Sequence, residues 1–433
     1  MNECYQQNLN IIASRWPALF ERLQAISPSL DALNVLEGKD STLLINGVQL
    51  TSRHNRQAEA ELQARKISAM QPVVELYGTG MGDLQQELLQ RKQLKKLNVH
   101  ILNENIFLLV IQLLDQQFWL NDPRVTLQFA ADHPDIKHPF VVSPSELELA
   151  SDMNNKIKMR LIAEEELFYF NEFVRNDSER HASRITESQS FWSKDNPVQK
   201  LYRTLDKNRE AFVIATGPSL EKNLDYLKKR QQQPTARPFI ISVDTALKPL
   251  LQHGIVPDIV VTVDIRINTK TLFTEQVPAH VALVYFPLTH TEILQSWQGP
   301  RYVALNSTPL FDSIRQQLHA NDLFTYGSVI HPALDLAVKM GSTRIALFGA
   351  DFAYANNKTH TGWQDGALGQ KFEQTSEWTL NGFGEKVKTL RSLQNYLIGV
   401  ERYISQLPHI RFYNTSRAGS VISGTEYYPE LVP

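Results

Sequence analysis

One cysteine, Cys4, stands in 433 residues. A lone thiol excludes an internal disulfide and any zinc site built from several cysteines, and it fits a reducing compartment. Charge of either sign is not in excess. The 44 basic and 46 acidic residues leave a net charge of −2, so there is no electrostatic case for nucleic acid. Long apolar runs are missing too. The best, Ile106 to Leu114, is broken by Gln112 and followed by Asp115, well short of the ~18 residues a membrane span requires. The opening MNECYQQNLNIIASRWPALF carries no basic stretch followed by an apolar one, and the expectation is a cytoplasmic protein. No GxxxxGK[ST] occurs, which removes P-loop ATP chemistry. HExxH, paired CxxC and Gly-x-Ser-x-Gly are likewise absent, and the last absence disfavours a serine hydrolase. Heptads, low-complexity tracts and solenoid periods are not found.

What is present is an ordinary globular composition, 42% hydrophobic and 21% charged, in a chain long enough for two domains. The expected class is α/β, with one domain over 1–200 and a second over 201–433. In the first, Asn46-Gly47 between LLI and VQL signals a hairpin. PVVELYG reads as a strand, Asp83 to Leu97 as an amphipathic helix on Leu84, Leu88, Leu94 and Leu97, and VHILNE as a second strand. A helix from Asn105 and strands at RVTLQFA and HPFVVSP follow. Residues 153–205 read as a bridging helical segment with a linker near Lys194-Asp195-Asn196-Pro197. The second domain adds strands at VALVYF, RYVALN and RIALFG, a long helical pattern over 385–406 and a last strand in HIRFYNTS.

The chemistry concentrates in Phe212 to Asp264. Three β-branched runs, FVIAT, FIISV and DIVVTV, alternate with two helical patterns and stop at Thr216-Gly217, Asp244 and Asp264. In a parallel sheet the carboxyl ends of the strands line the ligand crevice, so Thr216, Ser219, Asp244 and Asp264 are expected to converge on one small molecule. In Thr216-Gly217-Pro218-Ser219, glycine allows the turn, Ser219 can cap the next helix, and free amides there offer an anion site. The two carboxylates can accept from ribose, read an amino group or hold a divalent ion; Asp244 can equally serve as an N-cap.

Other clusters read the same two ways. Gly78-Thr79-Gly80-Met81-Gly82-Asp83 follows a strand and opens a helix, and Glu104 ends the next strand where an acid would grip a ribose. That would suit a methyltransferase or dinucleotide site, although such turns also form for packing alone. Tyr326-Gly327-Ser328-Val329 starts another helix. Asp351 ends a strand and is followed by FAYANNKTHTGW, in which His360 is either an idle loop histidine or a general base. His331, inside a helix, reads as packing. Tyr413 to Gly419 offers hydroxyls, an amide and the cation Arg417 as a binding loop or a plain turn. Lys386, Lys388 and Arg391 lie on the long helical pattern, where a solvated face is the plain reading.

These residues carry a resemblance. GPSLEKNL, SVDTALKPLLQHGIVPDIVVTVD and YGSVIHPALDLAVKMGSTRIALFGADFAY, together with LYGTGMGDLQQELL and NTSRAGSVISGTEY, resemble the motility accessory factor (Maf) glycosyltransferases over residues 40–425. Those belong to a wider group with MptE-like hydroxymethylpterin pyrophosphokinases. The resemblance implies a Rossmann-like amino-terminal domain and a sialyltransferase-like, GT-A-type central domain with a C-terminal helical segment. It implies transfer of a pseudaminic or legionaminic type of nonulosonic acid from a CMP-activated donor to flagellin Ser or Thr hydroxyls, with no tightly bound cofactor. It also implies donor contacts at Thr216, Gly217, Pro218, Ser219, Asp244, Asp264, Gly327, Ser328 and Asp351. Bacterial sialyltransferases have asparagine where this chain has Thr216, Asp244 and Asp264, which leaves metal binding open. His360 is the candidate base. Tyr326 or Tyr354 would face the leaving phosphate, and Arg391 or Arg417 the donor carboxylate. The alternatives are a pterin pyrophosphokinase holding Mg-ATP through Asp244 and Asp264, and a non-catalytic flagellin-binding motility factor.

Overall fold

A computed structural model describes the chain apart from residues 1–2, 28–32, 134, 177, 207–208, 264–275, 365–366, 369–370, 376 and 433, and gives the backbone alone at 33 and 166–180. Two compact units, 1–166 and 167–433, divide between Glu166 and Leu167.

In the first unit β1 (Leu33–Leu36), β2 (Thr42–Ile45) and β3 (Val48–Gln49) form a small antiparallel sheet. Asn46 and Gly47 take φ of 49° and 81°, the left-handed pair that a two-residue hairpin turn requires. β4 (Val73–Tyr77), β5 (Lys96–Ile101), β6 (Val125–Phe129) and β7 (Phe140–Val142) make a parallel sheet in the order β6-β5-β4-β7. Its strands bury every second residue, Val74, Leu76, Leu97, Val99, Ile101, Leu127 and Phe129, in one apolar layer, while the alternate positions Glu75, Asn98, His100, Thr126 and Gln128 form a hydrogen-bonded polar row on the other face. The helix Glu104–Leu113 begins at Asn103, whose side chain accepts from the Ile106 amide.

One expected helix is too long. It spans Asp83–Leu89 only, not Asp83 to Leu97. The amides of Lys95 and Lys96 bond to Pro72 O and pull the chain onto β4, so Leu97 enters the core from a strand. Only its three-residue step from Leu94 fits a helix; nine residues from Leu88 would put it on the opposite face.

The second unit carries β8 (Asn196–Pro197), β9 (Ala211–Ile214), β10 (Phe239–Val243), β11 (Ile259–Thr262), β12 (Ala282–Tyr285), β13 (Arg301–Val303), β14 (Arg344–Phe348), β15 (Trp378–Leu380), β16 (Lys386–Lys388), β17 (Arg411–Asn414) and β18 (Glu426–Tyr427). Nine of them form one sheet, β18-β17-β14-β9-β10-β11-β12-β13-β8, with every neighbouring pair parallel. The chain winds outward from β9 to β13 on one side and from β14 through β17 to β18 on the other. The order therefore reverses between β9 and β14, the switch point at which doubly wound sheets bind ligands. The expected α/β class is met in both units.

Two further expectations change. The segment at Lys194–Pro197 is not a free linker: Asp195 accepts from Tyr285 Oη at 2.9 Å and from Arg301 at 2.8 and 3.0 Å, and β8 pairs with β13. The division between units accordingly precedes the residue 200 expected from the sequence. The helical pattern over 385–406 is a helix only from Arg391 to Ser405. Before it β15 and β16 pair as an antiparallel hairpin, because Asn381 Oδ1 takes the amides of both Phe383 and Glu385 at 2.9 Å and closes the turn. Lys386 and Lys388 are thus strand residues that lie over the rings of Trp378 and Phe372 at 4.0 and 4.5 Å.

Candidate functional site

The switch point of the second unit is built around the turn Thr216–Ser219. Here β9 and β14 approach so closely that the Gly217 amide bonds Gly349 O at 2.7 Å. A Cβ on Gly217 would lie 2.4 Å from that oxygen and 2.5 Å from Asp351 Oδ2. Only glycine fits.

Free amides were expected at the start of the helix Leu220–Gln231, and Ser219 was expected to cap it. Neither holds. Ser219 makes no side-chain cap bond. Its amide donates to Asp351 Oδ2 at 2.7 Å, and the amides of Leu220 and Glu221 turn back to Gly217 O and Pro218 O. The protein has supplied its own anion. Asp351 is 3% exposed, and burial pushes its carboxyl up to about 6 against the Ser219 hydrogen bonding that holds it down.

Several expected residues join this turn. Thr216 Oγ1 bonds Thr245 Oγ1, beside Asp244 at the end of β10. Asp244 is buried and accepts from the Thr245 amide and the Thr262 hydroxyl, both at 2.7 Å. It ties the ends of β10 and β11 together and does not cap its helix. Asp264 lies outside the described residues.

The loop after β14 returns to the same turn. The Thr361 amide donates to Thr216 O and its hydroxyl to Gly217 O, each at 2.8 Å. Trp363 Nε1 bonds Thr245 O at 3.1 Å. His360 is half-buried on this loop between Thr359 and Thr361, which are buried. Tyr354, 2% exposed, lies on it as well, with its amide on Lys388 O. The loop after β17 completes the wall. The Ser420 amide bonds Asp351 O at 2.7 Å, and Gly419 packs on the Asp351 backbone. Arg417 stacks over Tyr427 at 4.7 Å, and no carboxylate among the described residues pairs with it.

Other expected residues are not brought in. Arg391, 57% exposed, pairs with Glu377 at 3.0 Å. Tyr326 packs on Gly399, and its hydroxyl accepts from Arg402 at 3.3 Å. At 1.5 Å per residue those contacts lie roughly 12–16 Å along the helix from Arg391. Gly327 sits against Tyr396, and the Ser328 amide faces His331 Nδ1 at 3.3 Å. His331 does pack: its Nε2 reaches Tyr396 O at 3.0 Å, and burial lowers it to about 4.

The glycine turn of the first unit repeats the device. Glu146, fully buried after β7, accepts from the Thr79 amide at 2.8 Å, the Thr79 hydroxyl at 3.1 Å and the Gly80 amide. Glu104, expected to grip a ribose, accepts instead from Asn154 Nδ2 at 2.8 Å and is buried. Both features of the cofactor reading are committed to the fold. Among the described residues no cluster of three or more His, Cys, Asp or Glu side chains is placed to share a metal ion, and no helix is long and apolar enough to cross a membrane.

The second unit is therefore a doubly wound parallel α/β protein with a polar, self-occupied switch-point site. Residues 183–357 match the family described as 6-hydroxymethylpterin diphosphokinase MptE-like. The 6-hydroxymethyl-7,8-dihydropterin pyrophosphokinase of Methanocaldococcus jannaschii is 35% identical over 77 residues, which cover 18% of this chain and 31% of that protein. The match thus spans about a third of that curated relative's length. Among solved structures, the Maf glycosyltransferase from Magnetospirillum magneticum AMB-1 aligns over 100% of this chain and 75% of its own, at 16% identity and a TM-score of 0.43. The MptE-like part of the expected resemblance is met over residues 183–357.

Proposed function

We propose that the second unit is a glycosyltransferase that moves a nonulosonic acid, of pseudaminic or legionaminic type, from a CMP-activated donor to Ser or Thr hydroxyls of flagellin. The observation that carries this reading is that the β14 loop, which bears Tyr354 and His360, is fastened to the turn Thr216–Ser219 through Asp351 and Thr361, while the β17 loop, which bears Arg417, packs on Asp351. Of the two tyrosines and two arginines open from the sequence, this favours Tyr354 and Arg417. In the reaction His360 takes the proton of the acceptor hydroxyl as its oxygen attacks the anomeric carbon. The bond from that carbon to the phosphate oxygen breaks, and CMP departs with the electron pair. Tyr354 donates to the departing phosphate and Arg417 pairs with the donor carboxylate. A nucleoside monophosphate needs less neutralisation than a diphosphate, so no metal is assigned. The first unit would serve acceptor recognition. A cytoplasmic location belongs to the same proposal.

The family match over 183–357 favours a second reading, a pterin pyrophosphokinase using Mg-ATP. Thermal shift with CMP, CDP, ATP plus Mg²⁺ and S-adenosylmethionine separates them, because a ligand that binds only the folded state raises its melting temperature. A shift with CMP or CDP, lost in Asp244→Ala, supports the transferase. A shift requiring both ATP and Mg²⁺ replaces it with the kinase. No shift with any nucleotide favours a non-catalytic flagellin-binding factor.

A further inference from the structure

The loop that carries Tyr354 and His360 leaves β14 at Asp351 and comes back at Thr361, and both of its ends are fastened to one turn. At the first end Asp351 Oδ2 holds the Ser219 amide at 2.7 Å. At the second the Thr361 amide and hydroxyl hold Thr216 O and Gly217 O at 2.8 Å. Thr361 is 1% exposed, so its hydroxyl has no competing water. Beyond it Gly362 takes φ +73°, and a Cβ there would come within 2.8 Å of Pro249 Cβ. Lys358 adds a tie to Glu221 at 2.7 Å. A compact loop whose ends meet behaves as one body.

We infer that Asp351 and Thr361 form a two-point clamp that makes the nucleotide turn and the loop bearing Tyr354 and His360 a single rigid piece. Thr361 is a positioning residue that couples donor binding to placement of the base. This rests on the transferase reading for its catalytic consequence, while the clamp itself is a property of the fold. Misplacing a reacting group by about 1 Å can cost on the order of a hundredfold in rate, so a small slackening is readable. The coupling has a stated direction: a ligand that stiffens the turn must stiffen the loop as well.

Thr361→Val preserves shape and the backbone N–H and deletes only the hydroxyl bond to Gly217 O; Thr361→Ser restores that bond. Hydrogen exchange of residues 352–360 is measured in the full chain, with and without CMP. The clamp predicts exchange about tenfold faster in Thr361→Val and near normal in Thr361→Ser. It also predicts protection of 352–360 by CMP in the natural chain alone. CMP release from CMP-N-acetylneuraminic acid then shows kcat about ten- to a hundredfold lower in Thr361→Val, KM for donor within about threefold, and rescue by serine. Exchange unchanged in Thr361→Val overturns the clamp whether or not CMP binds. CMP binding that leaves 352–360 unprotected in the natural chain overturns the coupling while the transferase reading stands. If CMP neither binds nor is released, the transferase reading falls, and the exchange of the free protein alone decides the clamp.

Discussion

The Ser219 amide donates to Asp351 Oδ2 over 2.7 Å, so the helix start at the switch point is already occupied by an anion of the protein's own. Glu146 does the same for Thr79 and Gly80 in the other unit. In each case the carboxylate follows the strand just across the switch point, β14 beside β9 and β7 beside β4. A phosphate entering the second unit meets a buried carboxyl as well as the amides it holds. Replacing Asp351 with asparagine keeps an acceptor for Ser219 and removes the charge. CMP affinity at pH 8 should tighten by about tenfold, the order of one relieved like-charge contact. Titration of Asp351→Asn with CMP checks it; unchanged affinity would place the phosphate away from this turn, and weaker binding would mean that the carboxylate itself holds the nucleotide.

Glu146 makes stability depend on pH with a definite sign. Burial raises its carboxyl to about 7, against the hydrogen bonds from Thr79 and Gly80. An unfolded glutamate titrates near 4.3. Below about pH 4 both states are protonated and the group contributes no pH dependence. Between about 4 and 7 the fold keeps a proton that the unfolded chain has lost, so stability falls as pH rises. Above about 7 the loss is complete, roughly 4 kcal/mol. Glu146→Gln, which cannot ionise, should lack this slope. Thermal unfolding at pH 5 and pH 8 gives the comparison; equal slopes in the two proteins would refute an elevated Glu146.

Much of this site was legible in the sequence, and the reason is local. Gly217, Asp244 and Asp351 are recognisable because each comes within three residues of the end of a short apolar strand run, and that nearness alone places them at strand ends. The hairpin turn at Asn46-Gly47 is legible for the same reason. The partners are not. Asp351 lies 132 residues from Ser219, and Glu146 lies 67 from Thr79. No periodicity reports that a distant carboxylate fills a helix start. Thr361 gave no signal beside His360, because its role exists only through two carbonyls on another strand's turn. Leu97 and Lys386 misled because a residue three or four positions from the last apolar one fits a helix until tertiary pairing claims it for a strand.

Gly217→Ala tests how tightly β9 and β14 are joined. The added methyl would overlap Gly349 O and Asp351 Oδ2, one a backbone atom and the other a fully buried side chain. Neither can swing into solvent. The strands must part, at a cost of about 3 kcal/mol. Urea unfolding should show the lower midpoint, and a midpoint equal to that of the natural chain would mean that the contact is loose.

The two arginines should separate in a donor-binding assay. Arg391 is mostly exposed and already paired with Glu377, a contact worth no more than about 1 kcal/mol. Arg417 stacks on Tyr427 beside the loop that covers Asp351, and no carboxylate among the described residues pairs with it. A charge-assisted bond from Arg417 to the donor carboxylate contributes about 1.5–3 kcal/mol. Arg417→Ala should therefore weaken binding of CMP-N-acetylneuraminic acid by about ten- to a hundredfold, and Arg391→Ala by less than about fivefold. CMP, which lacks that carboxylate, should bind Arg417→Ala nearly as it binds the natural chain. An equal loss for CMP and for the sugar nucleotide would move Arg417 from the carboxylate to the phosphate.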